Sequence, residues 1–201
     1  MKFNSRDVMK TIMESLANLD YVHEKDIPNI ELYMDQITTF MDDQLKSTKR
    51  YDDDKILTKT MINNYVKNNL LPAPVKKKYS KDHVLILIFI YYFKNILTIK
   101  DIESILDPII EESFDTNGSD ELGKLYQKIC DLEKCQMDPF FGELKAHYNK
   151  AEELFPDEEY DDEYTRLFAF ICSLSFDVYM KKLIIEKLVD TFYNNKDEDN
   201  D

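Results

Sequence analysis

The sequence predicts a protein built almost entirely of α-helices. Glycine and proline are scarce, at three and six residues among 201, whereas a fold with many tight turns needs more of both. Apolar residues recur at three- and four-residue intervals over residues 30–41 and 164–192. The longest apolar run, residues 84–93, is too short to cross a bilayer, which takes about 20 residues, so it predicts one buried helix.

Capping residues and prolines divide the chain into predicted helices. Thr58 and Ser80 are good N-caps, and Thr98 with Asp101 three residues later resembles a capping box. Pro108 is expected to end the helix that begins after Thr98, because a proline disfavours helix at the residue before it. The expected helices lie at about 5–18, 28–45, 58–68, 81–95, 99–106, 120–135, 139–154 and 162–194.

Charge is distributed unevenly along the chain. Acidic residues outnumber basic ones 40 to 26, a net charge of −14, yet residues 55–81 hold seven lysines and no acidic residue. One interpretation is a nucleic-acid contact, in which the acidic remainder repels DNA and only the basic segment approaches it. The alternative is an ordinary solvated, lysine-rich surface, which is what most charge runs are.

The sequence contains no pattern typical of an enzyme or a metal site. His23, His83 and His147 are far apart and lack neighbouring ligand residues, and His83 is expected on the surface beside the lysines. Three cysteines without paired spacing fit a reduced interior, and the first 20 residues lack the apolar run of a secretory signal. We therefore predict a cytoplasmic protein that is not an enzyme, needs no cofactor and does not contact membrane.

Residues 57–106 contain a recognisable order of elements. A short capped helix, a Leu-Leu-Pro turn, a basic link ending in Tyr-Ser, a long apolar helix and a Thr-capped helix follow one another. This order resembles the winged helix-turn-helix of MerR-type transcription regulators. Asn69 stands at the turn glycine of that family, and Asn63 replaces a phosphate-binding arginine. The matching residues are Thr58, Ile62, Tyr65, Leu70, Leu71, Pro72, Tyr79, Ser80, Thr98, Ile99 and Ile102.

The same region suggests a division of the chain. Residues 26–106 are also similar to an uncharacterised bacterial family, domain of unknown function 1836, which brings no assigned activity. The two resemblances imply a mostly helical fold with a small wing. Four segments are expected. Residues 1–25 form an N-terminal helix, and residues 26–110 form a winged helix-turn-helix. Residues 111–195, which include a linker near 113–123, form an acidic helical region for dimerisation or effector binding, and residues 196–201 form a disordered tail.

The MerR-type resemblance implies a DNA-binding transcription regulator. If the apolar side of helix 58–68 points inward, the other side exposes Lys59, Thr60, Asn63, Asn64 and Lys67. Asparagine can pair with adenine, and lysine can reach guanine or phosphate. The wing lysines would contact phosphates; they are Lys76, Lys77, Lys78 and Lys81.

Expected partners follow from the same resemblance. They are double-stranded, AT-rich DNA, a second copy of the chain in a homodimer, and a small-molecule or protein effector. Tyr65 and Tyr79 are expected to pack in the interior rather than stack on bases. The alternative function is a protein-interaction module that has a winged-helix fold and does not bind DNA, since fold does not imply function.

Overall fold

The structure is a computed structural model that describes residues 5–17, 22–115, 120–156 and 163–198. It is mostly helical, as the sequence predicts, and no described helix is both long and apolar enough to cross a membrane. Short 3-10 turns occupy Glu24–Asp26 and Lys46–Thr48. The longer elements are α1 Ser5–Ala17, β1 Leu32–Tyr33, α2 Met34–Gln44, α3 Lys59–Lys67, β2 Lys78–Tyr79, α4 Lys81–Phe93, α5 Ile99–Asp115, α6 Glu121–Leu154 and α7 Glu163–Glu198.

The described elements form two compact units. One contains Asp20–Cys130 and Glu186–Asp201, and the other contains Met1–Leu19 and Asp131–Ile185. Both α6 and α7 therefore contribute to each unit. The units group the elements differently from the segments expected from the sequence, and that expected division stays a prediction.

The larger unit is organised around α4. Every residue from Val84 to Tyr91 is buried, so this helix is covered on all sides, as its uninterrupted apolar sequence predicts. It packs against α5 and β2. The smaller unit has its own core, where α1, α6 and α7 meet through Met9, Leu144 and Phe170.

The second helix begins six residues later than the sequence predicts. Residues 28–33 do not join α2; instead Leu32 and Tyr33 form β1, which pairs antiparallel with Tyr79 and Lys78 of β2. The side chain of Gln36 accepts a hydrogen bond from the Tyr33 N–H at 2.8 Å, which fixes the start of α2. Pairing with a distant strand thus outweighs the local helical pattern.

Two prolines lie inside helices at positions where the sequence predicts helix boundaries: Pro108 was expected to end a helix, and Pro139 to begin one. α5 continues through Pro108 to Asp115, and α6 continues through Pro139, where the sequence predicted a break between two helices. A proline removes one backbone hydrogen bond from a helix interior. In α5, Ile102 and Leu106 are buried in the two turns before Pro108, and this burial offsets that loss. α7 runs through Glu198, into the expected tail, and 199–201 lie outside the described residues.

His83 is buried, which corrects its expected place on the surface. Its Nδ1 accepts a hydrogen bond from the Ser80 N–H at 3.0 Å, while Ser80 caps α4. The neutral ring therefore carries its proton on Nε2, which is buried without a hydrogen-bond partner among the described residues. Burial lowers the pKa of His83 from 6.5 to about 4, and the nearby backbone of Ala73 and Pro72, outside normal hydrogen-bond geometry, opposes only part of this shift.

Acid should therefore destabilise the fold through His83. Below pH 6.5 the unfolded chain takes up a proton that the folded protein excludes until about pH 4, so stability falls across this window. The loss from this residue is at most about 3 kcal/mol. His83→Gln keeps an acceptor for the Ser80 N–H and removes the titration. Urea unfolding at pH 7 and pH 4.5 should show a larger loss in the wild type than in His83→Gln; equal losses would contradict the assignment.

Candidate nucleic-acid interface

The short helix α3 presents one polar side to solvent. The Thr58 side chain accepts a hydrogen bond from the Met61 N–H at 3.2 Å, which caps the helix as its sequence predicts. Ile62 and Tyr65 are buried and fix the orientation of α3. The five residues predicted to contact DNA from this helix are all exposed: Lys59, Thr60, Asn63, Asn64 and Lys67.

Both tyrosines of the motif pack in the interior, as predicted. Tyr65 is buried on α3, and Tyr79 is buried on β2. Burial raises the pKa of each phenol above its usual value. Tyr79 also meets the His83 ring edge-on, with ring centroids 5.4 Å apart. Neither tyrosine is available to stack on a base.

A left-handed asparagine ends α3. Asn69 has a φ of 58°, which confirms that an asparagine can replace the turn glycine. The N–H groups of Leu70 and Leu71 both donate to the Tyr65 carbonyl, at 2.9 and 3.2 Å. Both leucine side chains are buried, so the chain leaves α3 in a fixed direction.

Four residues, Val75 to Lys78, form a tight reverse turn that we call the lysine turn. The Lys78 N–H donates to the Val75 carbonyl at 3.0 Å, and the two residues between them have positive φ, 51° for Lys76 and 66° for Lys77. Positive φ at both central positions defines a type I′ turn, which normally holds asparagine or glycine because their strain there is small. Two exposed lysines instead occupy strained positions at its tip.

One short segment, residues 31–35, contacts both the lysine turn and α3. Lys78 forms an ion pair with Glu31 at 3.4 Å and lies 5.8 Å from the centre of the Tyr33 ring. Lys59, at the start of α3, forms an ion pair with Asp35. The segment therefore brings the base of the lysine turn and the first turn of α3 to the same region of the unit.

Lys81 differs from the other predicted DNA-binding lysines. It is half-buried, and its ammonium group binds both Glu24 and Asp120, the latter at 3.2 Å. Burial alone would lower the pKa of Lys81, but the hydrogen bonds to the two carboxylates raise it. Its charge is thus balanced inside the protein, where it links the segment before β1 to the start of α6.

The remaining lysines keep their charge available to a ligand. Lys67, Lys76 and Lys77 are exposed, and none has a carboxylate within ion-pair distance in the described part of the chain. The structure therefore divides the seven lysines of the basic segment, six of which are predicted to contact DNA, into two groups. Lys59, Lys78 and Lys81 contact acidic side chains, whereas Lys67, Lys76 and Lys77 face solvent; the seventh, Lys55, precedes α3 and is also exposed.

These elements lie within one family domain. The model of a family described as a domain of unknown function, DUF1836, matches residues 22–129. The chain belongs to the DUF1836 family. The matched region of this DUF1836 protein includes α2 to α5, both strands and the start of α6, and hence both α3 and the lysine turn. No curated protein and no solved structure matches the chain.

The smaller unit contains a separate groove between α1 and α6. Its volume is about 620 Å³, and apolar side chains form much of its lining: Met9, Met13, Ala17, Phe141 and Tyr148. This volume lies within the range of small-molecule sites, about 300–1,000 Å³. Lys10 and Lys145 add cationic groups, and Glu14 and Glu152 add anionic ones, so the groove shows no single charge preference.

The acidic partners of the lysines could not be identified from sequence. Glu31 and Asp35 precede Lys78 and Lys59 by dozens of residues, and a two-residue strand such as β1 has no periodic pattern. The one available signal was the basic segment itself, because a lysine-rich stretch in an acidic chain will attract nearby carboxylates.

Glycine should stabilise the lysine turn. Replacing both Lys76 and Lys77 by glycine removes two strained side chains at positive φ, and we expect the free energy of unfolding to rise by about 1 kcal/mol. Lys128→Gly is the matched control, because Lys128 lies in the interior of α6 and its replacement should cost about 0.5–1 kcal/mol. Urea denaturation measures both changes, and a double-glycine variant as destabilised as the control would refute the turn geometry.

Proposed function

We propose that this protein is a DNA-binding transcription regulator that contacts duplex DNA through α3 and the lysine turn. The observation that carries the proposal is the tip of that turn. Two exposed lysines, Lys76 and Lys77, are held in a backbone conformation that costs stability and have no acidic partner among the described residues. Residues in strained backbone conformations concentrate at functional sites. The positive φ angles of Lys76 and Lys77 therefore favour a functional role for the lysine turn.

The chemistry of α3 supports base recognition in this proposal. An α-helix fits the major groove, where asparagine can bond to both N6 and N7 of adenine. Asn63 and Asn64 are exposed on α3 and would supply that contact, and Thr60 can bond to a base edge or a phosphate. Lys67, in the last turn of the helix, would reach the phosphate backbone.

The lysine turn would act as a wing. In a winged helix-turn-helix of the MerR type, one helix reads the bases and the wing holds the adjacent phosphates, and the order of elements over residues 57–106 supports that arrangement here. Lys76 and Lys77 would neutralise phosphates directly. Lys59 and Lys78 would exchange Asp35 and Glu31 for phosphate oxygens, while Lys81 would remain in its internal ion pairs.

A second function is favoured by those same ion pairs. Three of the seven lysines of the basic segment already contact carboxylates of this chain, which lowers the positive charge offered to DNA. A surface that binds its own acidic side chains can also bind an acidic protein partner. The second candidate is therefore a protein-docking module with the same fold, in which the lysine turn recognises a carboxylate-rich surface.

Reversal of the charge of the lysine turn tests the first function. About five lysine–phosphate contacts per protomer predict that log K for AT-rich duplex DNA falls with log salt concentration at a slope of about −4 to −5. Lys76→Glu with Lys77→Glu should weaken binding at least tenfold and reduce the slope by about 2. Asn63→Ala should leave the slope unchanged and alter sequence preference. Fluorescence anisotropy across a salt series measures both effects.

The matched control is a double reversal on α6. Lys124→Glu with Lys128→Glu changes the net charge by the same amount at two exposed positions outside the basic segment. If this control weakens binding as much as the variant in the lysine turn, the site is misassigned. The docking function replaces the regulatory one if two results are obtained together. The wild type does not bind DNA even at low salt, and it retains an acidic partner protein that the variant with Lys76→Glu and Lys77→Glu does not bind.

A further inference from the structure

A groove in the larger unit, which we call the α2 groove, lies between α2 and the segment that leads into β1. Its volume is about 400 Å³, within the range of about 300–1,000 Å³ that is typical of ligand sites. Its apolar lining comes from Leu32, which is buried, and from Pro28 and Phe40, which are half-buried. Two exposed carboxylates, those of Asp35 and Asp43, line the same groove.

The two carboxylates lie toward opposite ends of the α2 groove. Asp35 is in the first turn of α2, and Asp43 is in the last. The eight residues from one to the other correspond to a rise of about 12 Å along the helix. Asp35, Thr39 and Asp43 follow one another at intervals of four, so they lie along one side of α2, and Phe40 adjoins this row. The groove therefore combines an apolar surface with a negative charge toward each end.

The Asp35 end already holds a cation. The ammonium group of Lys59 forms an ion pair with Asp35, and both side chains are more than half exposed. Lys59 belongs to α3, so this cation reaches the α2 groove from another element. One end of the groove thus binds a positively charged side chain that comes from outside α2.

The Asp43 end has no such cation. Asp43 is exposed and has neither a hydrogen bond nor an ion pair with any residue that the structure describes, whereas its neighbour Asp42 binds Lys49 at 2.8 Å. The last turn of α2 contains no basic residue. A helix C-terminus carries partial negative charge, which favours cations and disfavours anions. Asp43 is therefore an unbalanced negative charge at a place where a bound cation is stabilised.

Arginine fits this combination of groups better than other cations do. Its aliphatic stem can lie along an apolar surface while its guanidinium group stays at the edge. The planar guanidinium group can also stack on an aromatic ring and donate two parallel hydrogen bonds to one carboxylate, whereas a lysine ammonium group is a point charge. Phe40 and Asp43 line the same groove and offer such a ring and such a carboxylate.

We propose that the α2 groove binds an arginine-bearing segment of a partner protein, with the guanidinium group on Asp43 and the arginine stem against Phe40. An apolar residue of the same segment covers Pro28 and Leu32. Arginine is enriched among the few residues that carry most of the energy of protein interfaces. The proposal does not depend on DNA binding, because no residue that lines the groove belongs to α3 or to the lysine turn.

Binding of a labelled peptide tests the occupant. The probe is fluorescein-labelled Gly-Leu-Arg-Leu-Arg-Leu-Gly, and its control has citrulline at both arginine positions, which keeps the shape and removes the charge. Fluorescence anisotropy with the full chain, without DNA, should give a dissociation constant of about 1 mM or below for the arginine peptide. The citrulline peptide should bind at least about tenfold more weakly, because it loses the charged hydrogen bonds. An arginine peptide that does not bind at millimolar concentration, or a citrulline peptide that binds equally well, would overturn the proposal.

Two variants test the position of the arginine. Asp43→Asn should weaken binding of the arginine peptide about tenfold. The same variant should raise the urea midpoint of the free protein, because it removes an anion from a helix C-terminus, whereas loss of a purely structural carboxylate would lower it. Asp53→Asn is the matched control, since Asp53 is an exposed acid of the loop before α3 and its replacement changes the net charge equally. Unchanged binding by Asp43→Asn, or an equal loss in Asp53→Asn, would refute the assigned site.

Discussion

Complete burial of α4 is the constraint on which the rest of the larger unit depends. Eight consecutive residues, Val84–Tyr91, lie inside the protein. Burial of one large apolar side chain contributes about 1.5–3 kcal/mol, so this helix contributes on the order of 10–20 kcal/mol before conformational entropy is subtracted. That is comparable with the net stability of a whole domain. A helix that must be covered on every side requires other elements to pack around it, and α5 and β2 are among those that do so.

This constraint also places the basic residues. Because α4 begins at the Ser80 cap, β2 and the lysine turn immediately before it are held at the edge of the core, and His83 ties the cap to the interior. The turn cannot relax its two positive-φ lysines without disturbing β2 and its pairing with β1. The strain at Lys76 and Lys77 is therefore sustained by burial elsewhere, which is how a protein can keep a costly conformation at a site of interaction.

Features set by local chemistry could be predicted from the sequence, and features set by distant contacts could not. The caps at Thr58 and Ser80 and the left-handed Asn69 follow from the residue types themselves. The strand pairing of β1 and the ion pairs of Lys59, Lys78 and Lys81 depend on residues far away in the chain. Pro108 and Pro139 show the same limit, because a helix continues through a proline when its flanking residues are held in place.

Lysine reactivity tests the central claim, that α3 and the lysine turn form the nucleic-acid face, most directly. The protein is acetylated briefly with and without AT-rich duplex DNA, and modification at each lysine is quantified by mass spectrometry. The account predicts protection of Lys67, Lys76 and Lys77 by DNA, with no change at Lys124 and Lys128 on α6. The account would be contradicted if each lysine were modified to the same extent with and without DNA, or if only lysines outside the basic segment were protected.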